Sequence, residues 1–214
     1  MSSIFLYNNA FKLNEQNKFM AVTLISTFYS FQPFVAAAHA YSPSKIVLVV
    51  AEDSLKNEKV GEDIKKVKDV YGKVATIEIL KVKGSDLLSI AQITVDLLEK
   101  GGRNIVNISG GWKLLAQGVL HGCYARPDLV DKIVCNNLED NSLVELPKLS
   151  YGLTTPKRDL MQEIEKRNGR SIFDIAKKLG KTRGMIYQHL KELKDIGYVD
   201  DKFTITRAGK VALL

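Results

Sequence analysis

Residues 181–191 combine basic and amide side chains that can hydrogen-bond to nucleic acid. A guanidinium such as that of Arg183 can donate to both acceptors on the edge of a guanine, and the amide of Gln188 matches adenine in the same way. Hydroxyl groups and lysines in the same run suit phosphate oxygens, which fix the position of a protein on the duplex. We assign six residues of this run to DNA contact: Lys181, Thr182, Arg183, Tyr187, Gln188 and Lys191.

A second group with chemical potential is the run Ser109, Gly110, Gly111, Trp112 and Lys113, which follows an apolar segment. Glycines let a ligand approach the main chain closely, and the amide groups at the start of a helix attract anions. Ser109 adds a hydroxyl group and Lys113 a cation. Such a turn is a weak signal alone, because many strand-to-helix turns need glycine without a ligand. Trp112 either stacks on a base or fills a gap beside the sheet.

The positive charge of the chain is concentrated near its end. The 214 residues carry a formal net charge of +7. Residues 150–214 contain 14 Lys and Arg against 8 Asp and Glu, whereas residues 1–149 contain 17 against 16. We therefore expect two domains, a near-neutral one over 1–149 and a basic one over 150–214, the second of which favours a polyanionic partner.

The near-neutral domain alternates short apolar runs with helical patterns. The apolar runs are 19–25, 45–50, 75–80, 104–108 and 132–135, and the helical patterns are 56–71, 86–100 and 113–124. This alternation predicts βαβ units and an α/β fold with a Rossmann-like, mostly parallel sheet covered on both faces. A polar turn after Asn136 and the apolar residues 143–146 predict a closing hairpin with an antiparallel edge strand. Residues 4–13 predict a further small hairpin.

The basic domain shows three helices with clear start signals. Thr155 before Pro156 predicts the first helix, after a linker over 147–155. Ser171 with Asp174 three residues later has the spacing of a capping box and predicts the second. Thr182 predicts the cap of the third. The apolar stripe expected to face inward on this third helix comprises Ile186, Leu190, Leu193 and Ile196.

The remainder of the basic domain predicts two short strands around a tight turn over residues 198–206, with Lys202 at the tip, and a short final helix over 208–214. The order of helix, glycine-containing turn, helix and strand pair resembles the winged helix-turn-helix transcription regulators of prokaryotes. The resemblance implies an α+β domain whose third helix enters the major groove of double-stranded DNA. Lys202 and Arg207 would touch the flanking backbone or minor groove.

The whole architecture resembles the CRISPR-associated Rossmann-fold (CARF) regulators of archaea, with the Ser109–Lys113 turn as the specific motif. The resemblance implies a homodimeric, DNA-binding transcription regulator whose paired sensor domains bind cyclic oligoadenylate, often cyclic tetra-adenylate. The ligand-binding residues that it implies are Ser26, Thr27 and Phe28 in the loop after the first strand, together with Ser109, Gly110, Gly111, Trp112 and Lys113.

This sequence departs from that family in three places, one of which is the bulky Trp112 within the turn. About eighteen residues precede the first predicted strand, and the loop over 26–30 is aromatic without a phosphate-binding glycine. His39 and His121 stand alone, and neither a Walker-type loop nor zinc spacing is present. We assign no catalytic residue, no metal ligand and no cofactor. A ring nuclease that degrades cyclic oligoadenylate, or a regulator that senses another small ligand, are the alternatives.

The remaining signals concern the compartment. Cys123 and Cys135 fall in apolar stretches and predict buried free thiols of a reducing cytosol. Residues 1–17 lack the positive start and long apolar run of a secretion signal. The apolar stretch over 19–41 is interrupted by Pro33 and polar residues, so a membrane span is not expected. The sequence predicts a cytoplasmic protein.

Overall fold

The computed structural model describes residues 21–83, 86–137, 139–140, 142–167 and 171–214. Its centre is a six-stranded sheet with strand order β3-β2-β1-β4-β5-β6. All neighbouring strands run parallel except β5 and β6, which are antiparallel. The Rossmann-like sheet and the closing hairpin predicted from the sequence are thus confirmed. The strands are β1 Val22–Thr27, β2 Lys45–Ala51, β3 Thr76–Val82, β4 Arg103–Asn107, β5 Val130–Asn136 and β6 Leu143–Leu146.

Four helices cover the two faces of the sheet: α1 Phe31–Tyr41, α2 Glu58–Tyr71, α3 Leu87–Leu98 and α4 Lys113–Ala125. Successive side chains of a strand point to opposite faces. Leu24 accordingly packs with the cluster that includes α1 and α2, whereas Ile25 packs with α3 and α4. Both residues are fully buried. Burial on both faces explains why the strands appear as continuous apolar runs in the sequence.

No helix or strand occurs between β6 and residue 155. The C-terminal region then consists of α5 Thr155–Arg167, α6 Ile172–Lys178, α7 Arg183–Asp195 and α8 Arg207–Leu213. The caps predicted at Ser171 and Thr182 are confirmed, since Ser171 Oγ accepts a hydrogen bond from Asp174 N at 3.4 Å and Thr182 Oγ1 accepts one from Met185 N at 3.3 Å. Thr155, predicted to cap α5, is instead the first residue of that helix. A separate apolar cluster, including Leu160, Ile186 and Leu190, holds these helices together.

Three details differ from the sequence-based expectations. The two strands expected after α7 reduce to one antiparallel bridge between Val199 and Ile205, because Asp200 Oδ1 draws the turn tight by accepting from Lys202 N and Thr204 N. Ile196 is 53% exposed rather than inward-facing, because α7 ends at Asp195 and the chain turns away. Cys123 is buried as predicted, but Cys135 is only half-buried.

The last helix connects the two regions. Helix α8 packs against α3 and α4 of the sheet region and also against α5. Arg158 Nη1 donates to Leu213 O at 2.8 Å and fastens the end of α8 to α5. Helix α8 thus occupies the junction between the regions, which is where any movement between them must be accommodated.

Two predictions concern residues that the structure does not describe. They are the hairpin predicted over 4–13 and the first residues of the strand predicted over 19–25. None of the helices in the described ranges is long and apolar enough to cross a membrane. Within those ranges, no cluster of three or more His, Cys, Asp or Glu side chains is placed to hold a metal ion.

Candidate nucleic-acid interface and glycine turn

The six residues predicted around the third helix of the C-terminal region share one exposed surface at the start of α7. We call Lys181, Thr182, Arg183, Tyr187, Gln188 and Lys191 the reading surface; all six are exposed. The opposite side of α7 is anchored by Ile186, Leu190 and Leu193, which are buried. Because the buried stripe fixes the rotation of the helix, the polar residues must point to solvent.

The cations of the reading surface are available to an anion. In the described part of the chain, no carboxylate lies within ion-pairing distance of Lys181, Arg183 or Lys191. Other lysines of the region are paired, for example Lys157 with Glu192 at 2.8 Å and Lys178 with Glu163 at 2.8 Å. The reading surface therefore retains three cations that no described carboxylate neutralises, which favours phosphate binding by counterion release.

Gln188 is engaged by a neighbour on the same helix. Its Nε2 donates to Glu192 Oε1 at 3.1 Å. A hydrogen bond from Lys157 is the main cause that lowers the pKa of Glu192, so this carboxylate stays ionised at neutral pH. The bond to Glu192 uses one N–H of the Gln188 amide, which also has a second N–H and a carbonyl oxygen.

Two apolar residues of the surface were missed by the sequence reasoning. Phe173 is 52% exposed and Met185 is 43% exposed. The guanidinium carbon of Arg183 lies 4.4 Å from the centroid of the Phe173 ring. Both residues lie outside the apolar stripe of their helix. An apolar residue outside that stripe is expected to be exposed, and this pattern could have identified both from the sequence.

Lys202 and Arg207 occupy different places. Lys202 is exposed in the turn between Val199 and Ile205, at the tip predicted for it. Arg207 begins α8 and lines a cavity of about 330 Å³ together with Asp86 and Leu114 of the sheet region. The structure thus groups Lys202 with the C-terminal region alone and Arg207 with the junction. Their roles in DNA contact stay predictions.

The glycine turn, residues Ser109–Trp112, lies directly against the end of β1. A Cβ atom on Gly110 would come within 2.6 Å of Thr27 O and 3.2 Å of Phe28 Cα. Gly111 has φ +79°, a conformation that side-chain-bearing residues rarely adopt. The turn therefore requires glycine at both positions, and the two loops predicted to share a pocket are adjacent.

Several side chains that were predicted to bind the ligand are buried or hydrogen-bonded inside the protein. Ser26, Thr27 and Phe28 are at most 1% exposed. Ser109 Oγ donates to Asn107 Oδ1 and accepts from Asn136 N at 2.7 Å. Because these side chains are buried or already hydrogen-bonded, a ligand that binds this conformation contacts the main chain of the turn. The assignment of these four residues to a ligand stays a prediction.

The exposed side chains beside the turn belong to Tyr29, Trp112, Lys113 and Leu114. Trp112 is 44% exposed and occupies the N-cap position of α4, where its side chain makes no capping hydrogen bond. The amide groups that open α4 are therefore left without a side-chain partner of the kind that caps α7. Such a helix start suits an anion that accepts hydrogen bonds from main-chain amides.

Comparison with known proteins addresses both regions. Residues 153–200 match the family model described as winged helix-turn-helix DNA-binding. This region is a winged helix-turn-helix domain. The match includes α5, α6 and α7, and with them the whole reading surface. No curated protein matches the sequence of the chain.

Three solved structures resemble the chain at low sequence identity. Csm6 from Enterococcus italicus, bound to cyclic hexa-2'-fluoro-hexa-dAMP, has TM-score 0.50 and 12% identity over 82% of this chain and 55% of its own. Can2 from Sulfobacillus thermosulfidooxidans, in complex with cyclic tetra-adenylate, has TM-score 0.44 and 13% identity over 89% and 62%. VC1899 from Vibrio cholerae has TM-score 0.48 and 12% identity over 90% and 64%.

The likeness to the Csm6 structure concerns the fold, and the sheet region has a CARF-like fold. The chain spans 55% to 64% of the length of the three structures. The CARF-like region ends in a stretch without regular structure, and the winged helix-turn-helix domain follows it.

The winged helix-turn-helix domain touches the CARF-like region at a polar aromatic contact. His121 of α4 shares a hydrogen bond through Nδ1 with the hydroxyl of Tyr151, and the two rings stack with centroids 6.2 Å apart. Tyr198 of the winged domain donates its hydroxyl hydrogen to Tyr151 O at 3.0 Å. Burial lowers the pKa of His121 and raises the pKa of Tyr151 to about 12, so both are neutral near pH 7.

Proposed function

We propose that this protein is a CRISPR-associated transcription regulator that binds double-stranded DNA as a homodimer and responds to a cyclic oligoadenylate, with cyclic tetra-adenylate as the first candidate. The observation that carries the proposal is the presence, in one chain, of a winged helix-turn-helix DNA-binding domain and a CARF-like fold. The Csm6 structure with this fold holds a cyclic oligonucleotide. The two functional units divide near residues 149 and 150, within the irregular stretch before α5.

Support for an anionic ligand comes from the start of α4. The glycine turn exposes main chain, the helix start lacks a side-chain cap, and Lys113 adds an exposed cation. A pair of such turns in a two-fold symmetric dimer matches the repeating phosphates of a cyclic oligonucleotide. Trp112, half-exposed beside the turn, offers a face on which an adenine can stack.

Support for a response comes from helix α4 itself. It begins at the glycine turn and, about two turns later, places His121 on Tyr151, which is in turn bonded by Tyr198. A shift of α4 caused by a ligand would therefore reach the winged domain through one rigid element. To control DNA binding, the ligand must bind two arrangements of the dimer with different affinity.

The junction is open enough for such a shift. Cavities of about 730 Å³ and 330 Å³ lie on either side of Leu88, between helix α3 and the last helix of the winged domain. Both are clefts open to solvent, so side chains that line them have room to move. Half-sites on DNA lie roughly 34 Å apart, so a small change in the separation of two α7 helices alters affinity.

The proposal is tested by measuring DNA binding of the full chain with and without cyclic tetra-adenylate, on duplex DNA from upstream of its own gene. We expect a change in the dissociation constant of about fivefold or more, the usual range of allosteric coupling. Linear tetra-adenylate is the control and is expected to have no effect. Light scattering of the same sample reports whether the chain is a dimer.

Three outcomes would contradict the proposal. The DNA-binding part fails if no duplex binds even at low salt, where phosphate contacts are strongest. The sensing part fails if calorimetry detects no binding of cyclic tetra-adenylate. Rapid cleavage of the ring without any effect on DNA would favour the ring nuclease instead. The engagement of the Ser109 hydroxyl by Asn107 and Asn136 supports binding over cleavage at this turn.

A further inference from the structure

The exposed ring of Phe173 lies under the charged group of Arg183, although the two residues belong to different helices. Phe173 is near the start of α6, and Arg183 is the first residue of α7. The guanidinium carbon is 4.4 Å from the ring centroid, well inside the distance of about 6 Å at which a cation is attracted to an aromatic face.

Both partners of this contact are held by rigid main chain. Ile175 and Ala176, which follow Phe173 on α6, are buried in the core of the winged domain. The turn between the helices is closed by a hydrogen bond from Lys181 N to Ala176 O at 3.0 Å. Since Thr182 caps α7, the position from which Arg183 extends is fixed as well.

The contact with the ring leaves the guanidinium without an oxygen or nitrogen acceptor, because its attraction to the aromatic face comes from its charge. Its N–H donors therefore still need hydrogen-bond acceptors, which the edge of a guanine can supply. Within the described ranges, Arg183 has no carboxylate partner that would compete for these donors. An arginine that is already ordered loses less side-chain freedom when it binds a base edge.

We propose that Phe173 is a positioning residue for base recognition, which holds Arg183 in the orientation that reads a guanine. This inference rests on the proposed function of DNA binding and adds a determinant of sequence specificity. Phe173 acts through Arg183, so it governs the difference between the preferred sequence and other sequences. The general affinity for DNA comes from the exposed lysines, which do not depend on the ring.

The test begins with selection from a pool of random duplexes by the full-length protein, which supplies an enriched duplex and a scrambled duplex of the same composition. The specificity ratio is the dissociation constant for the scrambled duplex divided by that for the enriched one. We expect Phe173→Leu to lower this ratio by about fivefold, the upper end for an exposed cation–π contact. Phe173→Tyr restores the ring and is expected to keep the ratio.

The scrambled duplex separates positioning from a loss of structure. With Phe173→Leu, binding to this duplex and its dependence on salt concentration are expected to match the wild type, because the phosphate contacts are retained. Tyr187→Leu is the matched control, since it removes an equally exposed aromatic residue from the reading surface. It is expected to weaken binding to both duplexes by the same factor.

A double variant tests whether Phe173 acts through Arg183. In an Arg183→Ala background, Phe173→Leu should have no further effect on the specificity ratio. Additive losses in the double variant, equal weakening of both duplexes by Phe173→Leu, or an unchanged ratio would each overturn the inference. Failure of the wild type to enrich any sequence would instead overturn the proposed DNA reading, and with it this inference.

Discussion

The starts of α4 and α7 are both surrounded by residues suited to nucleotides, but they are built in opposite ways. At α7, the Thr182 hydroxyl occupies the helix start, and the charged side chains around it are exposed to solvent. At α4, Trp112 provides no cap, and the hydroxyl of Ser109 in the preceding turn is consumed by internal hydrogen bonds. The first site presents side chains, and the second presents main chain.

This difference matches two kinds of recognition. Side chains with distinct donor and acceptor patterns can distinguish one base pair from another. Main-chain amides at a helix start recognise phosphate regardless of the base attached to it. A DNA reader needs the first property, and a sensor of a cyclic nucleotide with repeating phosphates can use the second. The predictions below test this contrast, from the largest expected effect to the smallest.

A methyl group at each helix start should have opposite effects on stability. Gly110→Ala forces a Cβ atom into Thr27 O and Phe28 Cα, both main-chain atoms that cannot easily move, and we expect a loss of about 3 kcal/mol in the free energy of unfolding. Gly184→Ala, near the start of α7, meets no atom within 4 Å. It should raise the free energy of unfolding by up to about 1 kcal/mol, because alanine favours the helix.

Urea denaturation of both variants measures these effects. A Gly110→Ala protein as stable as the wild type would show that the glycine turn can move away from β1. The proposed pocket would then have no fixed shape before the ligand binds.

Removing one cation from each site should separate DNA binding from ligand response. Arg183→Ala is expected to weaken binding to the preferred duplex by about 1–3 kcal/mol, the value of one bidentate base contact. Lys113→Ala is expected to leave DNA binding unchanged in the absence of ligand, because Lys113 belongs to the CARF-like region. The same variant should reduce the effect of cyclic tetra-adenylate on DNA binding. Fluorescence anisotropy of both variants on the same duplex checks the prediction, and identical behaviour would contradict the division between the sites.

Giving α4 the kind of cap that α7 possesses should block the ligand. An aspartate at position 112 can accept hydrogen bonds from the first amide groups of α4 and repels phosphate. Compared with Trp112→Ala, Trp112→Asp should gain about 1 kcal/mol in the free energy of unfolding and lose binding of cyclic tetra-adenylate in calorimetry. Both variants lack the indole ring, so a difference between their ligand affinities reports the contribution of the amide groups alone. Equal ligand affinity in the two would exclude these amides as the anion site.

The local chemistry of the helix ends could be predicted from the sequence. Ser171 and Thr182 cap their helices as expected, because a cap depends on residues within three positions of each other. The parallel sheet also followed from the alternation of apolar runs and helical patterns. Ile196 was wrongly predicted to face inward, because the apolar periodicity of the sequence continues beyond the residue at which the helix ends.

The candidate sites were harder to predict, because side-chain direction depends on packing between distant segments. The sequence places Ser26 and Thr27 at the end of a strand next to the glycine turn, but only the sheet geometry shows that their side chains are buried. The contact between Phe173 and Arg183 depends on how two helices cross. Arg207 follows the wing in sequence, yet its position beside Asp86 depends on the packing of two regions.

The contact between His121 and Tyr151 predicts a pH dependence of stability. Because burial lowers the pKa of His121, the unfolded chain takes up protons more readily than the folded one as the pH falls. This contribution to stability is complete above the ordinary histidine pKa of about 6.5 and is lost progressively below it. The pKa of Tyr151 is raised to about 12, so its hydroxyl does not titrate in this window.

Urea midpoints measured between pH 7.5 and 5.5 should therefore decrease toward acid, and His121→Gln should make the decrease smaller. His39→Gln, which removes an exposed histidine from α1, is the control. If α4 transmits the state of the glycine turn through this contact, His121→Gln should also reduce the effect of cyclic tetra-adenylate on DNA binding while ligand affinity is retained. A full response with a flattened pH profile would show that the contact stabilises the junction without coupling the sites, and α8, which packs against both regions, would then be the next candidate for the coupling.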